Sequence, residues 1–423
     1  MSTTPQHRSG KGLQVSIRAL SALPVALLCL SALVGCSADS ATSAASCNGP
    51  GVSPNEVKVG LIYPDTGSLS TIFQSTRAGL NARLGVANAA GGVNGRKITY
   101  EWADDRGRVD TNGVVSRNLV DDRNSFAILE ATPTSSGGAD YLASRGIPVL
   151  GVAAEPVWSQ YRNMFTYSYS QGTVNSTDSV TTFGKYAQQL GGTRALVIVD
   201  PAGIGVSDKT AQQLRASFQS VGMAVGSAAA DEDPTQSQID EIVRRVAADK
   251  VDTLASALSS STFAKIVAAV RRSGASPKAI LSANETPGTQ LLQEYGPLLA
   301  GLTVYSAQPV DPTSPSFTAY RDALARYSPD LGDTSQTLAR VGYVVGDMLV
   351  RGLQEAGPCP TQAGFISHLR AVKNYNAGGL ITPIDFDADF GKLPVCYPFT
   401  AVNSAGNGLI TTAANFCGER VSA

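Results

Sequence analysis

Three short polar turns carry most of the side chains in this sequence that could take part in chemistry. Each follows an apolar segment typical of a buried β-strand, and the turns span residues 63–69, 130–136 and 152–158. Their hydroxyls, carboxylates and rings can hydrogen-bond to or stack on a small molecule, and a helix starting after such a turn adds free N–H groups. The same side chains also suit helix N-caps, which leaves capping as the alternative. The pattern predicts binding chemistry at strand ends.

Patterns for catalysis and metal binding are scarce in this chain. His7 lies in a segment that we expect to be removed, and His368 lies on a predicted amphipathic helix, 365–372, as a surface histidine or one with its hydrogen bonds satisfied. No G-x-S-x-G elbow occurs, and the cysteines are spread like disulfide partners rather than clustered like zinc ligands. Gly203-Ile204-Gly205 resembles a dinucleotide loop, but Asp208 stands where a third small residue is needed. The sequence therefore predicts no enzyme, no metal site and no cofactor.

Short apolar runs alternate with stretches of helical spacing, which is typical of βαβ units around parallel sheets and predicts an α/β fold. The helix predicted over 235–249 and the next one place an apolar stripe on one face. Asp104-Asp105 and Asp121-Asp122 are interpreted as solvated element ends, with Asp104 able to organise a turn. A strand-like segment at 164–170 predicts the first crossing between two lobes. The predicted strands are 57–63, 97–102, 126–129, 147–150, 195–199, 253–257, 279–282 and 302–306.

Length and charge narrow the class of protein. The chain has 423 residues, of which 43% are hydrophobic, and this suffices for two domains of ordinary size. The formal net charge of −1 becomes −4 once residues 1–35, with three basic and no acidic residues, are removed. Such a balance gives no electrostatic footprint for nucleic acid.

The N-terminus is typical of an exported lipoprotein. Basic residues precede an apolar run over 19–34, and Leu33-Val34-Gly35-Cys36 resembles a bacterial lipobox. Cys36 would then be acylated, with palmitate as a typical chain, and residues 36–55 would form a flexible tether. The alternative is a buried or signal-anchor cysteine. We expect the protein at the cell membrane, anchored by lipid and facing the outside, where disulfides form. Their candidates are Cys47, Cys359, Cys396 and Cys417, whose three possible pairings stay open.

Several motifs resemble the type I periplasmic binding proteins of the branched-chain amino acid and amide ABC transport family, many of them lipoproteins. They are V-K-V-G-L-I-Y-P-D-T-G-S at 57–68, N-A-A-G-G-V-N-G-R at 88–96, the acidic strand end at Asp104, G-I-P-V-L at 146–150 and the long helix at 334–355. The resemblance spans about 56–417. It implies two Rossmann-like lobes joined by three crossovers that close on a small molecule.

The resemblance also implies a domain arrangement and a function. Residues 56–168 and 305–384 would form lobe 1, and 169–304 and 385–423 would form lobe 2. The protein would be a monomer that captures a small-molecule solute for the permease of an ABC importer. The alternative is a sensor lipoprotein of the same fold that acts on a membrane signalling partner.

The residues at the expected site depart from the family pattern. In amino-acid binders of that family, hydroxyls after the third and fourth strands hold the ligand carboxylate; the first group is present here, but Glu155 stands in the second, where it would repel a carboxylate. The family's second-lobe aromatics are missing. We therefore expect a small organic solute other than a simple branched-chain amino acid. The predicted ligand-binding residues are Tyr63, Thr66, Ser68, Phe73, Thr132, Thr134, Ser135, Ala153, Glu155, Trp158, Tyr169, Ile204, Ser259, Asn284 and Glu285.

Overall fold

Two sheets built mainly of parallel strands, with helices packed on their faces, organise the chain. The structure is a computed structural model, and it describes residues 47, 49–67, 69–170, 174, 178–201, 206–283, 286–305, 314–332, 334 and 336–422. Residues 46–423 form one compact unit by their contacts. None of the helices in these ranges is long and apolar enough to cross a membrane.

The elements follow the alternation that the sequence predicts. The strands are β1 (Glu56–Tyr63), β2 (Lys97–Asp104), β3 (Ile128–Glu130), β4 (Val149–Gly151), β5 (Met164–Phe165), β6 (Asp178–Val180), β7 (Arg194–Val199), β8 (Ala224–Ala229), β9 (Thr253–Ser256), β10 (Ala279–Ser282), β11 (Leu302–Tyr305), β12 (Cys396–Val402), β13 (Leu409–Cys417) and β14 (Arg420–Ser422). The α-helices are α1 (Ser70–Phe73), α2 (Ser75–Ala89), α3 (Val109–Arg117), α4 (Ser136–Ser144), α5 (Thr182–Gln189), α6 (Val206–Ser220), α7 (Gln236–Ala248), α8 (Ser260–Arg272), α9 (Thr289–Tyr295), α10 (Pro315–Tyr327), α11 (Thr337–Ala356) and α12 (Gln362–Ala371).

The first sheet has the strand order β2-β1-β3-β4-β5, and every neighbouring pair in it is parallel. Its strand β1 is buried on both faces, as Val59 and Ile62 show with 0% exposure, because helices pack on each side. The chain runs from β1 outward to β2 and then returns to β3 on the other side of β1. The strand order therefore reverses between β1 and β3, and such a switch point opens a crevice at the carboxyl ends of the strands.

The second sheet has the order β13-β12-β11-β10-β9-β7-β8. Strands β7 to β11 pair in parallel, whereas β12 and β13 add to the edge in antiparallel fashion. Its own switch point lies between β7 and β9. A separate antiparallel pair joins β6 to β14.

The core has three parts, which follow the faces of the two sheets. One cluster lies between the first sheet and helices α2, α10, α11 and α12. Another lies on the outer side of the second sheet under α7 and α8. The third joins the opposite face of the first sheet to the second sheet through residues such as Tyr169 and Leu393. Residues from 315 to 386 thus return to the first sheet after β11, so the chain passes between the sheets three times.

Helices α2 and α11 cross closely because each has a glycine at the contact. A Cβ atom at Gly79 would lie 1.7 Å from the carbonyl oxygen of Ala339, and one at Gly342 would lie 2.0 Å from that of Thr76. Gly92, with φ of +76°, closes α2 and turns the chain toward β2. The glycines of the 88–96 motif therefore have the backbone role that the sequence indicates.

Two disulfides stabilise the described part of the chain. Cys47 pairs with Cys359, which fixes the start of the folded body to the segment after α11. Cys396 pairs with Cys417 across β12 and β13. A shortened soluble form of the protein must therefore begin before Cys47.

Most sequence predictions of elements are confirmed, including the α/β class and the apolar stripes of α7 and α8, where Ile242 and Phe263 are fully buried. His368 is exposed on α12, as expected. The strand-like reading of 164–170 is correct only for β5, which ends at Phe165. Strand β8 was not predicted, because its sequence AVGSAA lacks the bulky apolar residues that mark the other strands.

Candidate functional site

The polar turns singled out in the sequence lie at the carboxyl ends of neighbouring parallel strands. Those after β1, β3 and β4 meet at one edge of the first sheet, which we call the first-sheet edge: residues 64–67, 131–136 and 152–158. Residues 200–201, 257–259 and 283 take the same position after β7, β9 and β10 and form the second-sheet edge. Both edges include a switch point, so the topology alone marks them as candidate ligand-binding regions.

Asp104, the last residue of β2, organises the turn after β1. Its carboxylate accepts hydrogen bonds from the N–H groups of Asp65 at 2.9 Å and Arg106 at 2.8 Å, and from the Thr66 hydroxyl at 2.5 Å. Partial burial alone would raise the pKa of Asp104, but these hydrogen bonds outweigh it and lower the pKa. The prediction that Asp104 organises a turn is confirmed. Thr66 remains exposed beside it.

Asp105 is a buried centre of hydrogen bonds, so its interpretation as a solvated strand end is wrong. Its side chain is 0% exposed. One carboxylate oxygen accepts from the hydroxyls of Thr132 at 2.5 Å and Thr134 at 2.9 Å, and from the amide of Asn112 at 3.2 Å. Thr132 and Thr134 are themselves buried. In this conformation their hydroxyls therefore link the turn after β3 to Asp105, which in turn contacts Asn112 of α3.

Glu130, which ends β3, is an acid without solvent contact. Burial raises its pKa to about 8, and the negative charges of Asp105 and Glu155 act in the same direction, while the nearby polar side chains of Ser135 and Asn112 oppose the shift. The carboxyl group is consequently protonated at neutral pH. Ser135 is also 0% exposed, so its side chain belongs to this buried polar layer beneath the first-sheet edge.

Glu155, in the turn after β4, binds the N-terminus of α4. Its carboxylate accepts one hydrogen bond from the backbone N–H of Ser136 at 2.8 Å and a second from the Ser136 hydroxyl at 2.7 Å. Ser136 is the first residue of α4, where free N–H groups and the positive end of the helix dipole favour an anion. The protein's own carboxylate therefore fills this anion position.

A similar arrangement exists at the second-sheet edge. Ser259 is the N-cap of α8, and its hydroxyl accepts from the N–H of Thr262 at 3.3 Å. The N–H of Ser259 donates to both carboxylate oxygens of Glu232, at 3.0 and 3.1 Å. Sequence reasoning missed Glu232, because nothing in its neighbourhood along the chain points to a partner 27 positions away.

Tyr63 is buried in a cluster with the guanidinium of Arg77, so its ring is not exposed to a ligand. Its ring is 0% exposed, and its hydroxyl donates to Asp65 at 2.5 Å while accepting from Arg77 at 3.2 Å. Burial, followed by the Asp65 hydrogen bond, raises the pKa of Tyr63 far above its usual range. Arg77 also stacks on Trp102, with its guanidinium carbon 4.8 Å from the ring centroid. Neither Arg77 nor Trp102 was singled out from the sequence.

The other predicted aromatic and small residues differ in exposure. Trp158 is 0% exposed and packs against the backbone of Gly151, so it presents no surface to a ligand in this conformation. Tyr169 is 7% exposed and lines a cavity beside the segments that connect the sheets. Phe73 is half-buried against the core of the first sheet. Ala153 is buried, with its N–H directed to the Thr166 hydroxyl at 3.3 Å.

Some predicted residues lie outside the described part of the chain: Cys36, Ser68, Ile204, Asn284 and Glu285. Within the described ranges, no group of three or more His, Cys, Asp or Glu side chains is placed to hold a metal ion. The acids near the first-sheet edge instead accept hydrogen bonds from hydroxyls and N–H groups, and these bonds hold the turns in position.

Comparisons with known sequences agree with this architecture. A profile of the family described as periplasmic binding protein matches residues 56–407. A protein of Brucella melitensis named Leu/Ile/Val-binding protein homolog 3 is 27% identical over 93 residues, which cover 22% of this chain and 25% of that protein. The match therefore spans about a quarter of the length of that relative.

Solved structures share the fold at low identity. A putative branched-chain amino acid ABC transporter protein from Rhodospirillum rubrum superposes with a TM-score of 0.70 at 20% identity, covering 84% of this chain and 99% of that one. A solute-binding protein of an R. palustris ABC transporter, in complex with 4-hydroxybenzoate, gives 0.62 at 17% identity, covering 86% and 98%. At these identities the similarity shows the fold alone.

Proposed function

The chain belongs to the periplasmic binding protein family, and from that membership we propose that it is the lipid-anchored solute receptor of an ABC importer. Family members are extracytoplasmic binding proteins and not enzymes, and the transport role is supported by the Rhodospirillum rubrum protein of the same fold, which is described as a putative branched-chain amino acid ABC transporter. The single observation that carries the proposal is the match over 56–407, which includes the parallel strands of both sheets and their switch points.

The proposed mechanism is closure of two lobes on the solute. Lobe 1 would comprise 56–168 and 305–384, and lobe 2 would comprise 169–304 and 385–423. The three passages of the chain between the sheets would serve as the hinge. The first-sheet edge and the second-sheet edge would each contribute contacts to the solute. A solute that contacts both edges favours the closed form by its differential affinity, and the closed form is what the permease would recognise.

The proposed solute contacts come from turns of both edges. Thr66, Glu155 and Ser259 have exposed or partly exposed side chains there, which makes them the first candidates. The buried hydroxyls of Thr132, Thr134 and Ser135 would reach a solute only if their hydrogen bonds rearranged. The cargo is proposed to be a small organic solute other than a simple branched-chain amino acid, because Glu155 adds a negative charge to the site.

Lipid anchoring rests on the sequence Leu33-Val34-Gly35-Cys36 and on the polar stretch that follows it. Acylation of Cys36 would hold the receptor at the membrane, and the tether up to residue 55 would let it reach solute and permease in turn. The protein would then act as a monomer at the outer face of the membrane.

Mass spectrometry of solutes that copurify with the full chain tests the receptor role. We expect one small organic molecule in near-stoichiometric amount, and adding it back to the stripped protein should raise the melting temperature in proportion to the logarithm of its concentration. Deleting the partner permease should then abolish uptake of that solute. Tight binding with unchanged uptake would instead support the sensor role.

A further inference from the structure

We infer that Glu155 is the residue that sets ligand charge: its carboxylate occupies the anion position at the N-terminus of α4, so the proposed binding site rejects carboxylate solutes and accepts a neutral or cationic head group. The inference rests on the proposed receptor function and names the class of its solute.

The geometry at α4 supports this assignment. Both hydrogen bonds of the Glu155 carboxylate, at 2.8 and 2.7 Å, go to the backbone N–H and hydroxyl of Ser136, the first residue of a nine-residue helix. These are the donors that an incoming carboxylate would need. Since β4 presents Glu155 and β3 leads into α4, the acid comes from the neighbouring strand end of the same edge. A solute carboxylate could bind here only by displacing Glu155.

The surrounding charges also act against an anionic solute. Asp105 and Glu155 both raise the pKa of the buried Glu130 through their negative charge, so two carboxylate charges act on the region behind this helix end, while the protonated Glu130 adds none. At the second-sheet edge, Glu232 accepts from the N–H of Ser259 at the start of α8. Both edges thus satisfy a helix N-terminus with a carboxylate of the chain itself. The similar R. palustris protein, by contrast, is described with a carboxylate, 4-hydroxybenzoate.

Small carboxylates can test the occupied position without knowledge of the natural solute. The probes are acetate and benzoate at constant ionic strength, with chloride as reference, added to the full chain and to the variant Glu155→Ser. The variant empties the anion position, so we expect both probes to raise its melting temperature, with a rise that grows with probe concentration. The wild type and the control Glu241→Ser, which changes an exposed acid of α7, should show no such rise. An equal rise in wild type, or no rise in a folded Glu155→Ser variant, would overturn the inference.

Matched pairs of solutes give a second readout. Benzamide against benzoate and leucinamide against leucine differ only in the charge of the head group. We expect wild type to bind the amide of any pair it accepts at least ten-fold more tightly than the acid. Glu155→Gln keeps the shape of the side chain and replaces Glu155→Ser if that variant does not fold. It should reduce that ratio at least three-fold. A wild-type preference for the acid sinks the inference and leaves the receptor role intact. If acetate stabilises Glu155→Ser while the wild-type protein copurifies with no solute, the results support the occupied anion position and argue against the receptor role.

Discussion

Arg370 of α12 donates a hydrogen bond of 2.7 Å to the carbonyl oxygen of Phe386. The same guanidinium donates to the carbonyl oxygen of Met164 at 2.5 Å and stacks 4.1 Å from the ring centroid of Phe165. Met164 and Phe165 form β5, just before the first passage between the sheets, and Phe386 precedes the third. One buried side chain therefore joins the starting points of two segments that connect the sheets.

Replacing Arg370 by Ala should destabilise the protein strongly. Burial lowers the pKa of Arg370 to about 10, so the group stays charged at neutral pH and its donors stay available. Each buried acceptor left unpaired costs about 1–3 kcal/mol, and we expect a loss of about 3 kcal/mol or more in the free energy of unfolding from urea titration. The control Arg351→Ala removes an exposed pair with Glu355 and should cost less than about 1 kcal/mol. Equal losses for the two variants would refute the role assigned to Arg370.

Glu130 should make stability depend on pH. Its pKa of about 8 in the folded protein lies above the ordinary 4.5, so the unfolded chain releases this proton first. The protonated group contributes its full share to the free energy of unfolding below the unfolded pKa of 4.5. This contribution falls by about 1.4 kcal/mol per pH unit as the pH rises from there to the folded pKa of about 8. Glu130→Gln keeps the neutral shape and should melt higher than wild type above pH 8, with the difference shrinking toward pH 5. A difference that does not change with pH contradicts this view of Glu130; Glu241→Gln serves as the exposed control.

The crossing of α2 and α11 should not tolerate a side chain at Gly342. A Cβ there would lie 2.0 Å from the carbonyl oxygen of Thr76, which is backbone and cannot move aside. Gly342→Ala should therefore cost about 1–3 kcal/mol, despite the higher helix propensity of alanine. Gly332→Ala places a methyl group in open space and is the matched control. Chemical denaturation of both variants measures the difference, and a neutral Gly342→Ala would show that the helices do not pack this closely.

Cys36→Ala should release the protein from membranes. Without the thiol no acyl chain can be attached, and the remaining chain offers no described helix that could span a bilayer. Cell fractionation, with metabolic labelling by a fatty acid, distinguishes the outcomes. Retention of the variant in the membrane fraction, or a wild type without label, would reject lipid anchoring.

The sequence predicted the parts of the fold that depend on local pattern. The stripe of Ile239, Ile242 and Val246 marks α7 because every third or fourth residue faces the core. The small residues of β8 gave no such signal, since its strand character comes from pairing with β7 along Arg194 to Val199. Local periodicity thus reports burial on one face, and tertiary pairing supplies the rest.

The sequence predicted where the turns of the candidate site lie, but not the contacts that their side chains make. The turns after β1, β3 and β4 meet where the rule for parallel sheets places them. The directions of their side chains depend on partners far along the chain: Thr132 turns inward to Asp105, and Glu155 binds Ser136. Asp105 was interpreted wrongly for the same reason, because its burial is set by α3 and the turn after β3 rather than by its neighbours in sequence.

Small-angle scattering with the copurifying solute tests the central claim that two lobes close on a ligand. The full chain, stripped of solute, is measured alone and at saturation, with saturation verified by calorimetry. Hinge closure predicts a smaller radius of gyration for the saturated protein, and the decrease should follow the same binding curve as the calorimetric heat. An unchanged radius of gyration at verified saturation would contradict the account.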